Sequence, residues 1–435
     1  MKTYNKVYPF SHVRLRQVIN DLKRRNIDAA KDLNMNLKKF NNVLNGKKKL
    51  DEKILSKIVD RWPVKFSEFL NPVINKKNFK IMKSGESLKS SRFMQRKGNE
   101  YYEYRDTVAE RNAPFKPEWI RELCYVENNK PNNGKIKWNK GHLLHQFTYF
   151  IGKVNFYYKE KNKKKVAIMN TGDSMYITPY IPHSFATRDI NKKSFIVAIT
   201  YEDRINSEIQ NELLNIEEKK IGNFLINKSS KRKIVANLIN KYSNNLSISL
   251  EELKRRVKIP GINKILAGKS DIGVMQLKKI AESLNLNLKD LMPVETSKKV
   301  VVLKGNSAKK WHFPSNTKKY FLIKELASIV DVPSAKSIEL NVLKKNNYKF
   351  KISPHQYIYV LSKKGNIIIN NKIFNLRNGE TLYLKPFTEH FFPKKGESFL
   401  ILRVEGKISG DTQMQISNLD FKSLKRVRME SLQWF

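Results

Sequence analysis

Along the first seventy residues, apolar side chains recur at steps of three and four: Leu33, Leu37, Phe40, Val43 and Leu44 run into Gly46, and Ile54, Ile58, Phe66 and Phe69 follow. That spacing draws one stripe down a helix, so Val13 to Asn71 is predicted as a bundle of short helices. A stretch rich in Lys and Ser near residues 83 to 92 reads as a linker. Beyond it the pattern changes to alternation, through Asn155 to Tyr158, Val166 to Met169 and Phe195 to Tyr201, which is the signature of strands. The helical rhythm then returns from Leu250 to Val294. Here Ile262, Ile265, Leu266, Gly268, Leu288 and Leu291 match Phe40, Val43, Leu44, Gly46, Phe66 and Phe69 at a constant offset of 222 residues. A second strand-rich part follows, in which Gly379 to His390 repeats the spacing of Gly172 to His183 and sets Pro386 against Pro179.

A duplication is the simplest explanation. The predicted class is α+β: a tandem repeat of an all-helical domain followed by a double-stranded β-helix (cupin) barrel. The expected boundaries are 1–75 helical, 76–210 barrel, 211–296 helical and 297–435 barrel, the second barrel degenerate.

Composition narrows the function. A chain of 435 residues with 40% hydrophobic content can bury substantial cores. Lys plus Arg number 85 against 40 Asp plus Glu, a formal charge of +45, so anionic partners are favoured. The lysines are spread along the whole length, which equally suits solvated faces. The single cysteine, Cys124, rules out an intrachain disulfide and fits a reducing, cytoplasmic setting. No uncharged apolar run approaches a membrane span, and the N-terminus lacks a signal core, so no membrane partner is expected.

The candidate chemistry lies between Asn139 and His183. Read as a strand, this segment puts His142 and Gln146, four apart, on one face and His145 on the other. His183 closes the Gly172 segment opposite them, and two neutral imidazoles suit Fe, Zn, Ni or Cu. Non-haem iron oxygenases usually complete two histidines with a carboxylate. Ile177, six residues before His183, stands where such an acid would be convenient, and a hydrocarbon cannot coordinate. Gln146 can offer its amide oxygen instead; the competing reading is that it only fills the barrel interior. In the second barrel His390 has its counterpart, Leu384 takes the Ile177 position, and His355 with Gln356 does not reproduce the pair at His142 and Gln146.

Two resemblances add to this. The rhythm from Ala29 to Gly46 is similar to the helix-turn-helix domain of bacterial regulators. The strings around Asn139, His142 and Gly172 to His183, in a duplicated helical-plus-barrel chain, resemble the iron enzymes that act on 2-hydroxyethylphosphonate, in two branches: hydroxyethylphosphonate dioxygenase and methylphosphonate synthase. The resemblance implies one mononuclear Fe(II) held by His142, Gln146 and His183, with O2 as co-substrate and neither 2-oxoglutarate nor nicotinamide. In the dioxygenase branch the residue six before the last histidine is a glutamate ligand. In the synthase branch it is isoleucine, with a glutamine four after the first histidine, and Ile177 with Gln146 favours that branch. The segment from Gln95 to Tyr104 looks like the family's phosphonate-binding stretch, making Arg96 and Tyr104, with Asn139, partners of a small phosphonate. Lys23 would be the lysine sent from the first helical domain toward the site, which implies a homo-oligomer.

The implied reaction is cleavage of the carbon–carbon bond of 2-hydroxyethylphosphonate to methylphosphonate and CO2. The alternatives are the dioxygenase reaction, giving hydroxymethylphosphonate and formate, and a DNA-binding regulator. The last is disfavoured because the helical domains are separated by a barrel and a sensor has no need of the Arg96, Tyr104, Asn139, His142 and Gln146 set; a nucleic-acid partner is therefore not expected.

Overall fold

A computed structural model of the chain describes residues 10–70, 76–202, 204–226, 228–293, 299–330 and 334–429. It divides into two compact units, Met1–Asn78 with Ile408–Phe435, and Phe79–Lys407. The helix ends expected at Asn71 and Val294 lie outside the described residues.

In the first unit, helices His12–Asp21, Asn26–Asp32, Leu37–Leu44 and Glu52–Arg61 precede a 3-10 turn, Phe66–Phe69. Their starts are written in the sequence. Ser11, Asn36 and Asp51 each cap the following helix by accepting from its first free backbone N–H groups, which offsets about 1 kcal/mol of unsatisfied donor per cap. The stripe forms the core: Leu15, Ala29, Phe40, Val43, Leu55, Ile58 and Phe69 are fully buried. The helices Gly410–Ser417 and Phe421–Met429 belong to the same unit.

The second unit contains two β-sandwiches. In the first, a seven-stranded sheet runs in the order Val300–Leu303, Ser174–Ile177, His145–Ile151, Phe195–Tyr201, Phe115–Glu122, Asn99–Asp106 and Arg92–Arg96. A three-stranded sheet of Lys163–Met169, Val154–Glu160 and His183–Thr187 shares its core, which includes Phe150, Phe156, Phe185, Ile177 and Ile196. The second sandwich repeats this plan with Phe79–Met82, Thr381–Leu384, His355–Val360, Ser398–Val404, Ala335–Val342, Phe321–Glu325 and Lys310–Phe313. Its smaller sheet is Lys372–Arg377, Lys364–Ile369 and His390–Phe391. All the paired strands are antiparallel.

The two sandwiches exchange edge strands. Phe79–Met82 pairs with Thr381–Leu384 of the second, and Val300–Leu303 pairs with Ser174–Ile177 of the first. Each exposed edge is thus covered by chain that sequence order assigns to the other sandwich. The outer faces of the large sheets meet in a shared core of Phe147, Tyr149, Val197, Tyr357, Tyr359 and Leu402 among others, and each aromatic there removes roughly 150–250 Å² from water. Tyr149 Oη donates to Glu339 Oε2 at 3.0 Å across this junction, and Lys324 pairs with the same carboxylate.

Between the sandwiches in sequence come helices Lys231–Asn245, Leu250–Val257, Ile262–Leu266, Val274–Ser283 and Leu288–Leu291. They pack around Ile239, Leu253, Ile280 and Leu291. The stretch expected as a linker, 83 to 92, is instead a helix, Ser84–Lys89, running into the edge strand Arg92–Arg96. Lys83 Nζ fixes its start by bonding Glu380 Oε2 at 3.0 Å. Polar composition alone could not separate a solvated edge element from a linker.

Candidate active site

Strand parity decides which side chains enter the first sandwich. Along Phe195–Tyr201, Val197, Ile199 and Tyr201 join the core between the sandwiches, which leaves Ala198 and Thr200 on the inner face. Gln146 pairs with Thr200 on one side and Ile177 on the other, so all three share that face. Gln146 and Thr200 border a cavity of about 120 Å³ whose other polar lining is Arg96, Tyr102, Tyr104, Glu118, Asn139, His142 and His183. Six of the seven predicted site residues meet there. Lys23 does not: it follows His12–Asp21 in the helical unit, with φ 55°.

One expectation needs correction. His142 does not share a strand with Gln146, because the strand begins at His145. His142 lies in the preceding loop, which a tight backbone contact folds inward. Gly141 has φ 79°, and a Cβ there would stand 2.6 Å from the Tyr180 carbonyl carbon, so only glycine fits. Tyr180 N–H then donates to the His142 carbonyl at 2.8 Å. The result still brings His142 Nε2 to 3.0 Å from Gln146 Oε1.

The hydrogen bonds fix which atoms face the cavity. His142 Nδ1 donates to the Leu144 carbonyl and His183 Nδ1 to the Ile181 carbonyl, each at 2.8 Å. Carbonyls only accept, so both Nε2 atoms present lone pairs. Gln146 Nε2 donates to Thr148 Oγ1 at 2.9 Å, which turns Oε1 toward His142. Two acceptors facing each other at 3.0 Å repel unless a cation serves both. Metal–ligand bonds of roughly 2.0–2.1 Å at right angles set adjacent donors about 3 Å apart. The ring centroids of His142 and His183 lie 5.4 Å apart and the rings are nearly perpendicular. Burial pushes His183 down to about 4, so it is a neutral imidazole at ordinary pH. Among the described residues no three His, Cys, Asp or Glu side chains group as a metal site; the third polar group beside the two histidines is the Gln146 amide. These residues fit a single metal ion with open positions.

Around that set are groups suited to an anion. Asn139 Oδ1 accepts from the His183 and Gly141 amides at 2.8 and 3.1 Å, leaving its Nδ2 beside His183 Nε2 at 3.1 Å. Arg96 stacks over the rings of Tyr101 and Tyr102 at 5.1 and 4.9 Å, and its Nη1 donates to the Lys137 carbonyl at 2.6 Å. Burial raises the phenols of Tyr102, to about 12, and Tyr104, keeping both as neutral donors. Tyr102, Glu118 and Thr200 were not predicted from the sequence. Inward alternation on Phe195–Tyr201 could have pointed to Thr200; Glu118 carried no signal beyond being a carboxylate in a strand. Burial also raises the Glu118 carboxyl.

No family model matches the chain. The chain is 39% identical over 434 residues to methylphosphonate synthase from Nitrosopumilus maritimus, covering 96% of this chain and 94% of that protein. Its fold superposes on the Streptomyces albus enzyme HEPD, solved with 2-hydroxyethylphosphonate and Fe(II) bound, with a TM-score of 0.89, 28% identity and 98% of both chains covered. A further structure of hydroxyethylphosphonate dioxygenase shares the fold at a TM-score of 0.75 and 16% identity, covering 97% of this chain and 99% of that one. With the histidines, the amide and the anion-binding groups gathered in one cavity, and with identity at this level across nearly the full length of both chains, the chain belongs to the methylphosphonate synthase family.

Proposed function

We propose that this enzyme cleaves the carbon–carbon bond of 2-hydroxyethylphosphonate with Fe(II) and O2, giving methylphosphonate, CO2 and water. One substrate and one O2 balance those products, so no 2-oxoglutarate or nicotinamide enters. The observation that carries the reading is the convergence of His142, Gln146 and His183 with Arg96, Tyr104 and Asn139 on one small cavity. Fe(II) bound by the first three would supply Lewis acidity and the redox chemistry of O2 activation.

The chain's own residues do the rest. Arg96, the Tyr104 phenol and Asn139 Nδ2 hold the phosphonate oxygens, a cation and two neutral donors matching a dianion. The Leu144 and Ile181 carbonyls keep the two imidazoles in the ligand tautomer. Thr148 does the same for the Gln146 amide. A neutral amide in place of a carboxylate leaves the centre one unit more positive, and fully buried Ile177, the cross-strand neighbour of Gln146, contributes only hydrocarbon. This pairing separates the reading from its sister, which would yield hydroxymethylphosphonate and formate.

The finer architecture belongs to the same reading: a tandem helix-turn-helix-like domain and cupin barrel, with boundaries near 75, 210 and 296. Matching left-handed backbone at Gly46 and Gly268, Gly172 and Gly379, and Tyr180 and Phe387 supports it. Lys23 as a substrate-directed lysine, a homo-oligomeric assembly and a cytoplasmic setting are further parts of this reading. Phosphorus NMR of Fe(II)-loaded protein with 2-hydroxyethylphosphonate and O2 tests the proposal. Methylphosphonate is the expected product; hydroxymethylphosphonate would move the chain to the sister reaction, and unchanged substrate would remove the assignment.

A further inference from the structure

The second sandwich keeps part of the first one's inner site and changes the rest in one direction. Gln356 pairs with Leu384 and Arg403, as Gln146 pairs with Ile177 and Thr200. His390 occupies the place of His183, with its Nδ1 donating to the Thr388 carbonyl at 2.8 Å as His183 donates to Ile181. Ile352 stands where His142 does: Phe387 N–H bonds its carbonyl at 2.8 Å, the bond that Tyr180 makes to His142. One metal ligand is therefore gone, and a guanidinium has entered where Thr200 stood.

Parity sends these groups inward. Tyr357, Tyr359, Leu402 and Val404 face the core shared between the sandwiches, so Gln356 and Arg403 face the interior with Ile358 and Ile401. There the polar groups stand alone. Gln356 is 1% exposed and His390 0%. Among the described residues, Gln356 Oε1, His390 Nε2 and Arg403 Nε are buried without a hydrogen-bond partner. Nor does Arg403 form an ion pair with any described residue, and burial alone pushes its guanidinium down to about 10. A half-buried cation with no counter-charge destabilises the fold, and each orphaned polar atom adds to that.

We infer that the second sandwich binds a small, singly protonated oxyanion between Arg403, Gln356 and His390. The protonation state follows from the partners. Arg403 Nε–H needs an acceptor, whereas the lone pair on His390 Nε2 needs a donor, since Nδ1 carries that ring's hydrogen. A hydrogen phosphate, a hydrogen phosphonate or bicarbonate meets both demands; a metal cation meets neither the guanidinium nor the missing histidine. Where the first sandwich presents a metal to an anion, the second presents a fixed cation.

The test is titration calorimetry of the full-length Fe(II)-loaded protein, without O2, using inorganic phosphate and bicarbonate in separate runs. Wild type should bind at least one of them at a site that Arg403→Met loses and that Gln356→Leu weakens roughly tenfold. In anion-free buffer Arg403→Met should melt above wild type, and the anion should raise the melting temperature of wild type more than that of Arg403→Met. Binding of phosphate alone would assign the phosphoryl or phosphonyl class, and of bicarbonate alone the carboxyl class. If neither anion binds, or if folded Arg403→Met and Gln356→Leu bind as wild type does, the inference is wrong. Gln356→Leu decides the matter should Arg403→Met fail to fold.

Discussion

The two sandwiches of this chain have the same strand order and the same register around a central glutamine, yet only the first sets two histidines beside that glutamine. Gln146 and Gln356 occupy equivalent positions, as do His183 and His390. What differs is a loop residue, His142 against Ile352, and a strand residue, Thr200 against Arg403. The scaffold thus supplies the geometry, and on the proposed reading two side chains decide whether its interior holds a cation or is one. A fold is not a function, and here the demonstration lies inside a single molecule.

The comparison breaks most completely at His142. His142→Ala should lower iron affinity by more than roughly a hundredfold and abolish turnover, because it removes a ligand outright; iron content after gel filtration and the phosphorus NMR assay measure both. Full iron with full activity would mean that the first sandwich does not need its distinguishing loop.

The converse change comes next. Ile352→His combined with Arg403→Thr restores the donor set of the first sandwich in the second, on a loop held by the same backbone bond. Iron per chain should rise from about one toward two, counted by metal analysis, with the phosphonate-binding groups still absent and activity unchanged. No increase in a folded variant would show that the scaffold's geometry is not shared closely enough.

A smaller effect concerns acid. His183 and His390 are both held near 4 in the folded protein by burial, against about 6.5 in an unfolded chain. As pH falls, the unfolded chain takes up protons that the folded one refuses. Stability of the iron-free protein should therefore be intact above about pH 6.5 and decline towards pH 4, each histidine removing up to about 3 kcal/mol. Denaturant titrations across that window check this, and His390→Leu should flatten the decline by about half. An unchanged profile in His390→Leu would argue that the second sandwich admits the proton freely.

The smallest change sharpens the role of the amide. Thr148→Val removes the acceptor that orients Gln146, which at about 1 kcal/mol predicts five- to tenfold weaker iron binding with the product unchanged. Isosteric replacement without any loss of iron would show that Gln146 orients itself.

The sequence by itself determined the order of helices and strands, because apolar periodicity and capping residues act locally: the stripe through Phe40, Val43 and Leu44, and Asn36 ahead of it, needed no partner to be read. It also carried the candidate donors His142, Gln146 and His183, which folding brings to one cavity, since residue types and spacing are what a resemblance preserves. It could not show that His142 leaves the strand, because that depends on Tyr180 meeting Gly141 from a distant loop. The edge-strand exchange was equally hidden, since Phe79–Met82 could pair with either sandwich and only the covered edge settles which. Glu118, Thr200 and Arg403 were ordinary strand residues until folding turned each inward. Those features are long-range: a side chain's chemistry is written where it stands, but its surroundings are set by strands that arrive from elsewhere in the chain.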